Sequence, residues 1–173
     1  PKSGPDLPRP IGRLVQVKAA LAWSSPETTY APGASEEQRQ PLSFPLTFGD
    51  RLSMLGYTYH QRQDVLQVVT YWQVLDRETS PLAIFVHVLD PANTVRAGWD
   101  GLYVSTDGWQ PRDVFVHLHT LPLPADLDAP AARIELGIYS PVTLERLPLF
   151  VDRGGETAPY NRALLSPLPA VSP

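Results

Sequence analysis

Apolar and polar residues alternate with a period of two through most of the chain, the mark of half-buried strands. Residues 13–23 carry enough of this alternation for a first strand. Phe44, Leu46 and Phe48 alternate with Pro45 and Thr47, and Pro45, which cannot donate to a ladder, marks an edge strand. Further strands are predicted over residues 51–60, 65–75, 82–90 and 94–99, with polar turns at residues 61–64 and 91–93. The run over 65–75 is dense in β-branched and aromatic residues, which suit a pleated surface. Residues 113–121, 131–139 and 146–151 give three more strands between Pro-rich turns, and another is expected near Leu164. Residues 24–41 and 100–112 read as long loops, and no stretch keeps a helical period beyond two turns. Eight to ten strands at this spacing predict an all-β fold, a two-sheet antiparallel β-sandwich of jelly-roll-like type. The expected divisions are a Pro-rich linker over 1–12, the sandwich over 13–155 and a Pro-rich tail over 156–173.

Composition narrows the classes. The 20 prolines in 173 residues oppose an all-α fold, because proline breaks helix interiors. Hydrophobic residues at 43% and charged residues at 18% exclude a disordered chain. A net charge of -4 offers no basic footprint, so nucleic acid is not an expected partner. The longest apolar run, residues 81–86, falls far short of the roughly 20 residues of a membrane-spanning helix. With no cysteine there is no thiol nucleophile, Cys-ligated zinc or disulfide. The Pro-rich ends and the missing initiator Met are expected of a piece cut from a longer protein.

Candidate chemistry is sparse. His117 and His119 share one face of a predicted strand, and His87 on another strand could complete a three-histidine metal set. Against this, Phe115 and Leu121 lie on the same face and no acidic residue stands at a fixed offset to complete a cupin-like pattern, so polar positions on a half-solvated face or satisfied core histidines are the favoured reading; no metal and no cofactor are assigned. Asp100, Asp107 and Asp113 could form a carboxylate pair or a calcium site, although aspartate also recurs in loops because it bonds its own turn. No Gly-x-Ser-x-Gly elbow or phosphate-cradling glycine pattern exists, so no catalytic residue is assigned. The aromatic residues around the long loop suggest more. Trp99, Tyr103 and Trp109 beside Asp100 form the ligand-binding candidate, since sugar rings stack on aromatic faces while their hydroxyls bond to carboxylates. Exposed rings there would favour glycan contact, and buried rings a structural role.

Several phrases together resemble a known family. They are residues 51–57, 66–73, 85–90 (Phe-Val-His-Val-Leu-Asp), Trp109-Gln110-Pro111, 121–124, 136–139 (Leu-Gly-Ile-Tyr) and 145–147 (Glu-Arg-Leu). In order and spacing they resemble the extracytoplasmic β-sandwich region that ends many bacterial multi-spanning glycosyltransferases of the dolichyl-phosphate-mannose mannosyltransferase-like type. The resemblance covers residues 44–149, about 60% of the chain. It implies a non-catalytic accessory domain on the extracytoplasmic face, partnered by glycan or lipid-linked sugar or by the membrane portion of its parent. The catalytic carboxylates of such transferases lie in the membrane portion, so none is carried over. This chain departs from the pattern at residues 98–101, which read Gly-Trp-Asp-Gly, and at Arg112, where glycine usually follows Trp-x-Pro. The alternative is a structural or protein-interaction sandwich with no small ligand.

Overall fold

The computed structural model describes residues 30–31, 40–41, 44–77, 80–102, 106–128, 131–150 and 157–167. In chain order these form β1 (Tyr30–Ala31), β2 (Gln40–Pro41), β3 (Leu46–Phe48), β4 (Leu52–Arg62), β5 (Val65–Val74), β6 (Ala83–Leu89), β7 (Val95–Gly101), β8 (Val114–Pro122), β9 (Arg133–Tyr139), β10 (Leu149–Phe150) and β11 (Ala163–Pro167). Sheet one has six strands in the order β2-β1-β11-β9-β6-β7, and sheet two has five, β10-β3-β4-β5-β8. All pairings are antiparallel. Setting aside the two-residue strands β1 and β2, nine strands make the sandwich. The all-β, two-sheet expectation holds. β3, β4 and β5 form a meander, and every step from β7 to β11 changes sheet.

The core lies between the sheets and follows the alternation. Leu66, Val68, Trp72 and Val74 of β5 face Ile84, Val86 and Val88 of β6 and Ile134, Leu136 and Ile138 of β9, all of them buried. β4 shows how a change of phase is absorbed. Its inward residues are Leu52 and Met54, then Tyr57 and Tyr59, and the register shifts between Met54 and Gly56. A bulge at Leu55 lets both sets face inward, since an extra residue on one strand resets the period.

Three expectations are corrected. β3 is not an edge, because β10 pairs with its other side; Pro45 sits just before the strand, where no ladder donor is needed. Residues 100 and 101, expected to open a loop, continue β7 against Ile84 and Phe85. The sandwich also runs past residue 155: β11 pairs with β9 from Ala163 to Pro167, so part of the expected tail is an internal strand. Ala163, Leu164 and Leu165 are buried together, and three consecutive apolar residues show no period to read. The expected linker over 1–12, the strand over 13–23 and Tyr103 lie outside the described residues.

β6 and β9 differ from the other strands. Seven of seven residues of β6 are buried or half-buried, and Phe85 and Glu135 are buried although they point away from the core. A strand buried on both faces reads as a continuous apolar run. The outer face of sheet one is therefore covered locally, and polar groups under that cover need partners.

Candidate functional site

Cross-strand register assembles the site on this covered outer face. Phe85 stands opposite Asp100 of β7 and Gly137 of β9, and His87 opposite Gly98 of β7 and Glu135 of β9. The two glycines make the arrangement possible. A Cβ at Gly137 would lie 2.4 Å from the Phe85 ring, and one at Gly98 would lie 2.9 Å from the His87 ring. Both rings thus lean across a neighbouring strand, into space that any larger residue would fill. Gly137→Ala is expected to displace Phe85 and destabilise the fold by about 1–3 kcal/mol, the usual cost of overpacking. Denaturant titration checks it, and an unchanged midpoint would contradict this close approach.

His87 is held between two carboxylates. Its Nδ1 lies 2.9 Å from Glu135 Oε1 and its Nε2 lies 2.7 Å from Asp100 Oδ1. With both ring nitrogens donating, the ring is an imidazolium. Burial works against that charge, but the hydrogen bonds and charges of Glu135 and Asp100 outweigh it and raise the His87 pKa. Glu135 is also bonded by Arg162, and these two cations hold its pKa below the usual carboxylate value despite burial. The Tyr139 hydroxyl donates to Asp100 Oδ2 at 3.3 Å, and its pKa is raised by burial and then by that carboxylate.

A turn completes the cover. Ser140 N–H donates to the Glu145 carbonyl, and Arg146 bridges back to Tyr139. The Arg146 guanidinium then lies 4.5 Å from the centre of the Phe85 ring, with Nη1 donating to the Tyr160 carbonyl at 3.1 Å. Phe85, His87, Asp100, Tyr139, Leu144 and Arg146 line a shallow pocket of about 270 Å³. Leu144 and Tyr160 are exposed at 74% and 72%, and both hold positive φ, 62° and 59°. Non-glycine residues in that conformation cost free energy and gather at functional sites.

The residues chosen from sequence divide. Asp100 is in the pocket. Trp109 is in the core, 7% exposed, with its ring 4.8 Å from that of Phe115. This corrects the expectation of a loop ring open to ligand: residues 106–113 fold back over the sandwich end through Trp109 N–H to the Thr106 carbonyl and Gln110 N–H to Asp113 Oδ2. Trp99 points inward opposite Val86, edge-on to His117 at 4.9 Å and His119 at 4.8 Å. The carboxylates do not act as one set, for Asp113 is committed to its own turn and Asp100 to His87 and Tyr139.

His117 and His119 share a face of β8 as expected, but that face is the inner one of sheet two, whereas His87 lies on the outer face of sheet one. The three do not converge. Trp72 Nε1–H donates to Thr70 Oγ1 at 2.7 Å, and Thr70 lies 3.0 Å from His119 Nε2. The Thr70 hydroxyl also lies 3.4 Å from the His117 carbonyl, a second acceptor for its single proton, so the direction of the Thr70–His119 hydrogen bond follows the His119 tautomer. Burial, then the neighbouring His117, lowers the His119 pKa to about 3, and burial lowers that of His117. Both are neutral core groups. Among the described residues no three or more His, Asp or Glu side chains are placed to hold a metal ion.

Sequence reasoning missed Phe85, Glu135, Tyr139, Leu144 and Arg146 as site residues. Two signals were present: a charge inside the apolar run Arg133–Tyr139, and glycines at mid-strand positions 98 and 137, which mark close approach.

The fold and site define a two-sheet β-sandwich module with a polar and aromatic pocket on one outer face. The chain matches no family model and no curated protein. Among solved structures it is similar to the C-terminal domain of Wzt, at 11% identity, TM-score 0.48, covering 73% of this chain and 78% of that one. It is similar also to a calcium-binding mutant of Bacteroides uniformis β-glucuronidase 2, at 13% identity and TM-score 0.41, covering 61% of this chain and 14% of that one. A third is a domain of the outer membrane lipoprotein Omp28 from Porphyromonas gingivalis, at 13% identity and TM-score 0.34, covering 64% and 91%. Among the described residues no helix is long and apolar enough to cross a membrane.

Proposed function

We propose that the chain is a non-catalytic, glycan-binding accessory module, working on the extracytoplasmic face as part of a membrane glycosyltransferase-like protein. The observation that carries the reading is the pocket itself. Asp100, Tyr139 and Arg146 present hydrogen-bonding groups beside the apolar surface of Leu144 and the Tyr139 ring, the mixture a sugar's hydroxyls and C–H face require. Its volume of about 270 Å³ is just under the roughly 300–1,000 Å³ usual for drug-sized ligands, which suits a single sugar unit. The phrases that carry the family resemblance supply Phe85, His87, Gly137, Tyr139 and Arg146, so the shared pattern and the pocket coincide. A catalytic role for His87 is disfavoured, since both its nitrogens are bound by carboxylates and neither is free to take a substrate proton.

A glycan array followed by calorimetry on the best binder tests this. Binding should weaken at least about tenfold in Tyr139→Ala, a loss of about 1.4 kcal/mol. Binding untouched by that change would move the site elsewhere. Two observations favour the second reading, a structural or protein-interaction module: Trp109 is buried and Trp99 points inward, the arrangement expected of a structural role, and β8 carries an exposed apolar patch. Val116 and Leu118 are exposed at 38% and 47% on the outer face of β8, an edge strand of sheet two. Edge strands with exposed apolar residues invite pairing. A self-associating or partner-bound protein blind to every glycan would support that reading instead.

A further inference from the structure

We infer that the sugar taken by the pocket is acidic, a uronic acid whose carboxylate is bound by Arg146; this rests on the glycan reading. Charge within the pocket points there. Asp100 and Glu135 are matched by His87 and Arg162, and these four groups close their charges among themselves. Arg146 stands outside that balance. Its partners among the described residues are the Phe85 ring and the Tyr160 carbonyl, both neutral. An exposed cation in a ligand-sized pocket, with no carboxylate of the described residues on it, is a site for an anion.

The geometry favours a carboxylate in particular. A guanidinium stacked on an aromatic face keeps its edge N–H groups available for a planar, two-pronged partner. Of its five donors, one is used by Tyr160. Stacking and that bond also fix the side chain beforehand, which lowers the entropy lost on binding. Asp100, 44% exposed at its side chain, lines the same pocket and repels a doubly charged phosphate more than a singly charged carboxylate. Asp100 can still accept from a sugar hydroxyl, and Leu144 on the rim offers an apolar surface to the sugar's C–H face. A uronic acid carries all three features on one ring: a carboxylate, hydroxyls and a C–H face.

The test is a calorimetric titration of the full chain with glucuronate and galacturonate, their neutral parents glucose and galactose, and acetate. Uronates should bind at least about tenfold more tightly than the parent sugars, the worth of one hydrogen-bonded charge. That preference should vanish in Arg146→Gln and weaken in Arg146→Lys, which keeps the charge and loses the fork. Both substitutions are at an exposed side chain, and a denaturant midpoint for each variant separates lost binding from lost fold. Neutral sugars binding as well as uronates would overturn the acidic preference while leaving the glycan reading intact. Acetate binding as well as uronates would make this an anion site and overturn the sugar. No binding by any of the five would overturn both.

Discussion

Acidification from pH 6.5 toward 3 is expected to remove on the order of 1.4 kcal/mol of folding stability per pH unit, with His119 as the source. His119 is fully buried and its pKa is lowered to about 3, by burial first and then by the neighbouring His117. A base with a depressed folded pKa binds fewer protons folded than unfolded. Below about 6.5 the unfolded chain takes up a proton that the folded chain refuses, so stability falls until the folded pKa is reached. The total is on the order of 4 kcal/mol, a large share of the roughly 5–15 kcal/mol of an ordinary domain. His117 adds to the slope in the same direction, because burial lowers its pKa as well. His87 does not offset the loss. Its raised pKa contributes stability that is fully present below 6.5 and is lost as pH rises through its folded value. Glu135, with a lowered pKa, adds a further loss only as pH falls below its unfolded value of 4.5. Denaturant midpoints at pH 7, 6, 5 and 4 test this. The slope should shrink in His119→Gln, and a flat wild-type profile would show that the histidines are solvated.

The second large effect is expected at Glu135. Its carboxylate is buried and bonds both His87 and Arg162, so Glu135→Ala leaves two cations facing each other on a covered surface. Breaking a buried ion pair from one side costs about 3–5 kcal/mol; His87 and Arg162 keep some contact with water, so about 3 kcal/mol is expected here. Glu135→Gln should cost less, since one amide oxygen still accepts. The same change should weaken sugar binding, because His87 loses one of the two anchors through which it positions Asp100. A midpoint change within experimental error in Glu135→Ala would mean that the network contributes nothing to the fold.

The strands with one face on the core were legible, because the period of two survives in sequences such as those of β5 and β8. Legibility failed where a second face was also covered. β11 shows three buried residues in succession, and β6 reads as a plain apolar run that hides Phe85 and His87 on the outer face that carries the pocket. Asp100, chosen from sequence as a carboxylate beside Trp99, Tyr103 and Trp109, lies in the pocket without Trp99 or Trp109 among its lining residues. The residues that surround it come from β6, β9 and the turn after β9, and only register places them together. Trp109 failed in the opposite sense. A tryptophan in a polar, Gly- and Pro-bearing segment reads as exposed, yet the turns at residues 106–113 fold its ring onto Phe115. Hydrogen bonds that return a loop to the core leave no periodic trace.

The central claim is that ligand enters the pocket on the outer face of sheet one, and amide chemical-shift mapping by NMR tests it most directly. The full chain would be titrated with galacturonate while backbone resonances are followed. The largest shifts are expected at Phe85, His87, Asp100, Tyr139, Leu144 and Arg146, with Val116 and Leu118 unmoved. Shifts confined to β8, or to residues 106–113 around Trp109, would contradict the site.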